Sequence, residues 1–474
     1  MKFGGSSVAD APRLRNVAAL VEAEAGKGQG VLVVLSALGG ATDALIGAGK
    51  AAVAGDPGQA LALFVALLER HEAVARELFG TRLPSLVADS LEEARREIFP
   101  LLRGATLLGE LPARSSDLLA GRGELLSSAL LAGLMGAPWV DAREVMRTDS
   151  TYGQARPEPE AIKGLAADLL LPRLGSGKVL VTQGYIGSDS RGMATTLGRG
   201  GSDYSASLFG AAIGAAEIQI WTDVEGVLTA DPRVVPSAFP VELLGYDEAA
   251  ELAAFGAKVL HPATILPAVE QGIPVTVRNS LVPGGRFTTI SRGSSSGMPV
   301  TALASRAPVT VLTMRTPRML GGSGFLARIF EVFGRNGTSV DLVSTSEVSV
   351  SVTLEGKAPL GKISAELAEF CELRVEEDRA VLALVGEELR RTPGIAARAL
   401  GALGDINVEM ISLGSNEINL SLIVASEAAA EAQRRLHAAF FGQGTPRDAA
   451  AQRATAQPAV AQRAAGRSPA EALA

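Results

Sequence analysis

Cysteine is almost missing from this sequence: Cys371 is the only one in 474 residues. No disulfide can form within the chain, which suits a reducing compartment. Histidine is nearly as scarce, and His71, His261 and His437 lie far apart. One cysteine and three scattered histidines argue against a structural zinc site. His261 precedes Pro262 and reads more readily as a turn residue than as a catalyst. There is no GxSxG elbow and no GxxxxGK[ST] loop, the signatures of a serine hydrolase and of a P-loop nucleotidase. Long apolar runs are lacking too. The longest candidate, 127–140, is interrupted by glycine and reads as a buried helix instead of a membrane span. The opening MKFGGSSVAD has no apolar core of the signal-peptide kind. A cytoplasmic location is the expectation. Nor is there an excess of positive charge. With 44 Lys and Arg against 51 Asp and Glu, the net charge is -7. That disfavours nucleic acid or an anionic membrane as the main partner, while a local cluster of cations could still hold an anionic substrate.

What is present suits a folded protein of two or three domains, with 47% hydrophobic and 20% charged residues. Up to about residue 300, short β-branched runs alternate with Ala/Leu-rich stretches. VLVVLS (31–36), KVLVTQGYI (178–186), EIQIWTD (217–223) and PVTVR (274–278) read as strands. Residues 12–25, 59–78, 117–135, 203–215 and 246–255 read as helices. Trp139 and Trp221 fall in strand-like runs and read as core. Strand and helix in alternation imply a mostly parallel sheet covered on both faces. Ligands of such sheets collect at the carboxyl ends of the strands.

A Ser/Gly stretch at 291–299 reads as a linker, and the pattern then changes. VTVLTM, a helical run at 324–337, a period-two run at 340–355, a helix at 363–370 and CELRVEE make one β-α-β-β-α-β unit. AVLALVG, a helix near 394–403, NVEMISLG, NEINLSLIV and a helix at 428–440 repeat the scheme. The expected divisions are 1–300, 301–378 and 379–442, the last two able to interleave, with an Ala/Gln/Arg/Pro tail at 443–474 read as disordered.

Five short segments could carry chemistry. KFGGSS (2–7) joins a lysine to glycines that let backbone amides approach an anion; a tight turn with a surface lysine explains it as well. LGRGGSDYSA (197–206) opens a helix, whose free amides bind anions. Ser202 or Asp203 could instead be a simple N-cap. TDVEGVLTADPR (222–233) follows a strand, where a sheet protein holds a nucleotide or merely turns. FGAKVLHP (255–262) offers Lys258 as a second cation. In GRGELLSS (121–128), Glu124 starts a helix, either to bind an ammonium or to complement the dipole.

Taken in order, these segments, with VTQGYIGSDSRGMATTLGRGGSDYSA, closely resemble the aspartate kinases of the amino-acid-kinase fold family. RMLGGSGFLARIFEVFG and SVDLVSTSEVSVSVTLE resemble the ACT region of lysine-sensitive, monofunctional members. The resemblance implies an α/β amino-acid-kinase fold, three-layered with a mostly parallel sheet, followed by two α+β ferredoxin-like ACT domains. The implied activity is ATP-dependent phosphorylation of the L-aspartate side-chain carboxylate, with Mg²⁺ accompanying the nucleotide and no protein metal site. Lys2, Asp203 and Lys258 would be catalytic. ATP would meet Lys2, Gly4, Gly5, Ser6, Thr222, Asp223, Leu228, Arg233, Lys258 and Val259. Aspartate would meet Thr42, Glu124, Arg199, Gly200, Gly201 and Ser202. An effector, lysine, would meet Met319, Gly322, Gly324, Phe325, Leu326, Ser339, Val340, Asp341, Ser346 and Glu347. A homodimer through the ACT domains is the implied assembly.

Departures from the family pattern are few. Ser6 stands for the usual Thr, Leu228 for a Tyr near the adenine, and Gly321-Gly322 for bulkier polar residues near the effector. The chain also begins one residue before Lys2, where relatives carry more of the first strand. Two other readings are a carboxylate kinase of the same fold acting on glutamate, and a catalytically silent amino-acid sensor. Retention of Lys2, Asp203 and Lys258 disfavours the sensor, and Glu124 with the GRGGSD turn disfavours glutamate.

Overall fold

The computed structural model describes residues 1–256, 262–293, 296–316, 324–355, 358–413 and 417–442. The chain divides into two compact units. One comprises Met1–Thr229 and Phe239–Ala302, the other Ala230–Ala238 and Leu303–Ala474.

Nine strands belong to the first unit: β1 (Lys2–Phe3), β2 (Val31–Leu35), β3 (Val179–Gln183), β4 (Ile186–Ser188), β5 (Ala194–Thr196), β6 (Ile218–Thr222), β7 (Leu243–Leu244), β8 (Val275–Asn279) and β9 (Thr288–Ile290). Seven form one sheet in the order β3-β2-β1-β6-β8-β9-β7, and β4 and β5 form a separate hairpin. Pairing from β3 through to β8 is parallel, and only β8 with β9 is antiparallel. β2 reads VLVVL and is buried at all five positions, as a strand covered on both faces requires. Phe3, Val33, Leu35 and Trp221 from the sheet share a core with Leu14, Leu45, Phe64, Ile98 and Leu130. Those five come from helices Ala11–Ala25, Ala41–Val53, Pro57–Phe79, Ser85–Leu108 and Arg122–Met135. Each such side chain contributes about 1.5–3 kcal/mol when fully buried.

Two expectations change. KVLVTQGYI is not one strand but β3 and β4, broken at Gly184 and Tyr185, with Tyr185 at φ 68°. The segment 117–135 is likewise two helices, Ala113–Ala120 and Arg122–Met135, meeting at Gly121. Taken together, Ala113–Met135 does have the length and apolarity of a membrane-crossing run, but 78% of its most apolar window is buried inside the protein.

The second unit holds a six-stranded sheet. Its strands are β10 (Ala302–Arg315), β11 (Val343–Thr345), β12 (Ser349–Glu355), β13 (Glu372–Val385), β14 (Met410–Leu413) and β15 (Asn419–Ala425). Their order is β11-β12-β10-β13-β15-β14. Both repeats therefore contribute to one sheet, and β13 runs unbroken past residue 378. Helix Phe325–Arg335 buries Ile329, Val332 and Phe333, which pack with Leu312, Val350 and Val352 of the sheet.

Because β1, β2, β3 and β6 are parallel neighbours, the turns that follow them open along one edge of the first sheet. Those turns begin at Gly4, Ser36, Gly184 and Asp223, and Gly4, Gly5, Ser6 and Asp223 among the candidate residues lie on them.

Candidate active site

Lys2 belongs to the two-residue strand β1 and is only 8% exposed. A cation so enclosed needs a counter-charge. Asp203 supplies it, with 2.8 Å between Lys2 Nζ and Asp203 Oδ1. Asp203 lies in the first turn of helix Gly201–Ala212, whose N-cap is Gly200 at φ 73°. That left-handed conformation suits glycine. No side chain caps this helix. The simple N-cap role considered for Ser202 and Asp203 is therefore not what the structure contains: Asp203 pairs with Lys2 across 201 residues of sequence instead.

After Lys2 the chain turns at Gly4, whose amide donates to Trp221 O at 3.2 Å, and enters a 3-10 turn, Gly5–Val8. This ties the glycine turn to the end of β6, beside Thr222 and Asp223. Thr222 Oγ1 donates to Asp223 Oδ1 at 3.1 Å. Ser6 is exposed and Leu228 half-buried. Gly39 N donates to Gly5 O at 3.1 Å, so the turn after β2 touches the first glycine turn. Thr42 follows in the first turn of Ala41–Val53.

Glu124 sits in the first turn of Arg122–Met135 and is 3% exposed. Burial pushes its carboxyl up to about 8, against the pull of a hydrogen bond from the Ala37 backbone. Its Oε2 has no hydrogen-bond partner among the described residues. A buried, half-satisfied carboxylate is costly unless a cation arrives to meet it. Two positions away, the Arg122 guanidinium is fully buried and already paired with Glu93 at 3.3 Å and with Glu97, so it is a scaffold charge.

The GRGGSD turn is seated by close backbone approach. A Cβ on Gly184 would lie 2.7 Å from the Cα of Ser202, so glycine must follow β3 for the turn to reach it. Ser205 Oγ, bonded to Gly201 O at 2.9 Å, accepts the Tyr185 amide at 3.0 Å. Arg199 is exposed on the same turn. Asp117 accepts from Thr196 N at 2.8 Å and Gly153 N at 2.9 Å, and burial raises its pKa. The sequence pattern does not mark Gly184, Tyr185 and Asp117 as site residues. Gly184 and Tyr185 left a faint signal, a QGY interruption in an otherwise apolar strand; Asp117 left none.

Thus Lys2, Gly4, Gly5, Thr222, Asp223, Glu124 and the 199–203 turn are brought to one region of the first unit. Arg233 lies in the 230–238 segment that groups with the second unit, where its guanidinium pairs with Asp231 at 2.6 Å. Lys258 and Val259 lie outside the described residues, as do Met319 and Gly322. Among the described residues, no three His, Cys, Asp or Glu side chains cluster as a metal cage.

In the second unit, Gly324 caps the helix that carries Phe325 and Leu326. Phe325 and Val340 pack against one hydrophobic core. Ser339 is exposed, and Ser346 and Glu347 occupy the exposed turn between β11 and β12, where Ser346 Oγ meets Ser349 Oγ at 2.7 Å. Asp341 is half-buried just before β11. Its carboxylate pairs with Arg306 at 2.7 Å, and Arg306 also reaches Glu355 at 2.7 Å. Burial raises the Asp341 pKa, with Arg306 pulling the other way.

Comparison with known proteins agrees over most of the chain. The amino acid kinase family profile matches residues 1–279, and an ACT domain profile matches residues 382–440. The lysine-sensitive aspartokinase 3 of Escherichia coli is 39% identical over 453 residues, covering 93% of this chain and 98% of that protein. Among solved structures, E. coli aspartokinase III in complex with aspartate and ADP, described as the R-state, is 38% identical with a TM-score of 0.78. The match covers 93% of this chain and 99% of that one. The complex of the same enzyme with lysine and aspartate, described as the T-state, gives a TM-score of 0.73, covering 93% and 98%.

Proposed function

The chain belongs to the amino acid kinase family, and within it to the aspartokinases, and from that premise we propose how its own residues carry out the reaction. It is an aspartate kinase. A side-chain carboxylate oxygen of L-aspartate attacks the γ-phosphorus of ATP, the bond to the β-phosphate oxygen breaks, and 4-phospho-L-aspartate and ADP leave. This is the first step towards lysine, threonine and methionine, and lysine feeds back on it.

Both reactants are anions, so the work is positioning and charge neutralisation. Lys2 neutralises phosphate charge as it develops. Asp203 holds Lys2 in place. It need not act as a base, because the attacking carboxylate is already ionised at neutral pH. Amides of Gly5 and Ser6 face the phosphates with Gly4 beside them, Thr222, Asp223 and Leu228 serve the nucleoside, and the family resemblance adds Lys258, Val259 and Arg233 as nucleotide contacts. Arg199, Gly200, Gly201 and Ser202 grip the substrate carboxylates, and Thr42 lines the same pocket. Glu124 receives the α-ammonium. Mg²⁺ would accompany ATP, held by its phosphates.

One observation carries the reading: the same unit holds a buried lysine paired with Asp203 and a buried carboxyl, Glu124, with an oxygen to spare. A silent sensor would have no use for either. Residues 1–300 are the catalytic part, 301–378 and 379–442 the ACT repeats. The effector ammonium is taken by Asp341 and Glu347, and the protein works as a cytoplasmic homodimer joined through its ACT repeats.

Purified protein with Mg-ATP and L-aspartate should give a hydroxamate when hydroxylamine traps the acyl phosphate. Lys2→Ala should lower that rate by at least about 10²-fold, a far larger effect on turnover than on folding. Hydroxamate from glutamate alone would move the chain to another carboxylate kinase, and none from either would leave the sensor.

A further inference from the structure

We propose that Arg70 is a positioning residue that fastens the nucleotide turn to the substrate turn. The inference rests on the kinase reading above. Arg70 projects from helix Pro57–Phe79, outside every segment assigned to the site. Its guanidinium makes two hydrogen bonds to main-chain carbonyls, donating to Gly39 O at 2.6 Å and to Ala9 O at 2.9 Å. Ala9 ends the 3-10 turn that begins at Gly5, and Gly39 precedes the Gly40 cap of the helix bearing Thr42. One planar cation therefore spans the two turns that hold the two substrates.

The turns also meet directly, through Gly39 N and Gly5 O at 3.1 Å. A second arginine, Arg13, binds the outer side of the first turn, donating to Ser6 O at 2.9 Å. Carbonyl and amide of a trans peptide point in opposite directions. Drawing the Gly39 carbonyl to Arg70 therefore turns the Gly40 N–H away from it. Drawing the Ala9 carbonyl to Arg70 fixes the end of the glycine turn in the same way. A guanidinium makes charge-assisted bonds, about twice as strong as neutral ones, and its rigid fork sets two partners at a constant separation. Lysine cannot do the second.

The test is steady-state kinetics on the full chain with each substrate varied. Arg70→Ala should raise KM for ATP and KM for aspartate together, each about tenfold, while kcat and Tm stay near wild type. Arg70→Lys, able to reach one carbonyl, should fall between. Arg15→Ala removes another exposed arginine, bound to Glu77 of the same helix, and should behave as wild type. Should the alanine variant lose Tm, Arg70→Gln decides the matter on the same two constants. A loss of Tm or kcat with both Michaelis constants unchanged makes Arg70 mere scaffold and overturns the proposal, as does a rise in only one of them. Failure of the kinase reading is separate, since it would appear as an inactive wild type.

Discussion

Glu124 carries the sharpest consequence of burial at the level of a single residue. Its carboxyl rises from the ordinary 4.5 to about 8 because water is excluded. Such a group favours the folded chain when protonated. Its contribution is complete below 4.5 and is lost as the pH climbs through about 8. Glu124→Gln should therefore match wild type in Tm near pH 4.5 and exceed it near pH 9. Binding runs the other way, because the substrate ammonium needs the ionised form. KM for aspartate should rise about tenfold per pH unit on acidification below the pKa, as the competent fraction falls. A KM that stays flat from pH 8 to pH 6 would mean that Glu124 meets no ammonium. The sequence could name Glu124 by resemblance, but its unpartnered oxygen emerges only when Ala37 and the helix are packed round it.

Among the elements, strands and the glycine turns that end them were largely legible. VLVVL, EIQIW and PVTV are β-branched, unbroken and short, and each appears as a strand at the expected place. The break after Gln183 was not legible, because QGY can continue a strand until Ser202 presses against Gly184. That contact makes a prediction. Gly184→Ala places a Cβ 2.7 Å from backbone, so the GRGGSD helix start must move. Stability should drop by about 1–3 kcal/mol, and KM for aspartate should rise with it. Gly164, exposed within helix Pro159–Leu169 with nothing near an added Cβ, is the contrast. Gly164→Ala should add about 0.5–1 kcal/mol by urea unfolding and leave both Michaelis constants alone. If both glycines respond alike, the difference is not steric.

For the whole molecule, the question is how lysine acts on catalysis. Asp341, proposed above as the acceptor of the effector ammonium, already has a cation in Arg306, so on that proposal the ammonium shares the carboxylate or displaces the guanidinium. Asp341→Asn should raise the lysine concentration for half-inhibition at least tenfold without altering the uninhibited rate. Arg306→Gln should lower it by removing the competitor. Equal lysine sensitivity in wild type and Arg306→Gln would show that the ion pair does not stand in the effector's way. Each outcome is read from rate against lysine concentration with ATP and aspartate saturating.

By itself the sequence determined the sheet-and-helix alternation, the change of pattern near residue 300, the second α+β run similar to the first, and the order of glycine turns that carries the family resemblance. These follow from local periodicity and from residue types with few conformational uses. Tertiary structure alone decided that Asp341 is held by Arg306, that both repeats share one six-stranded sheet, and that Arg70 bridges two turns. Each of these joins groups distant in sequence. Their energies depend on separation and burial, and neither exists until the chain has folded.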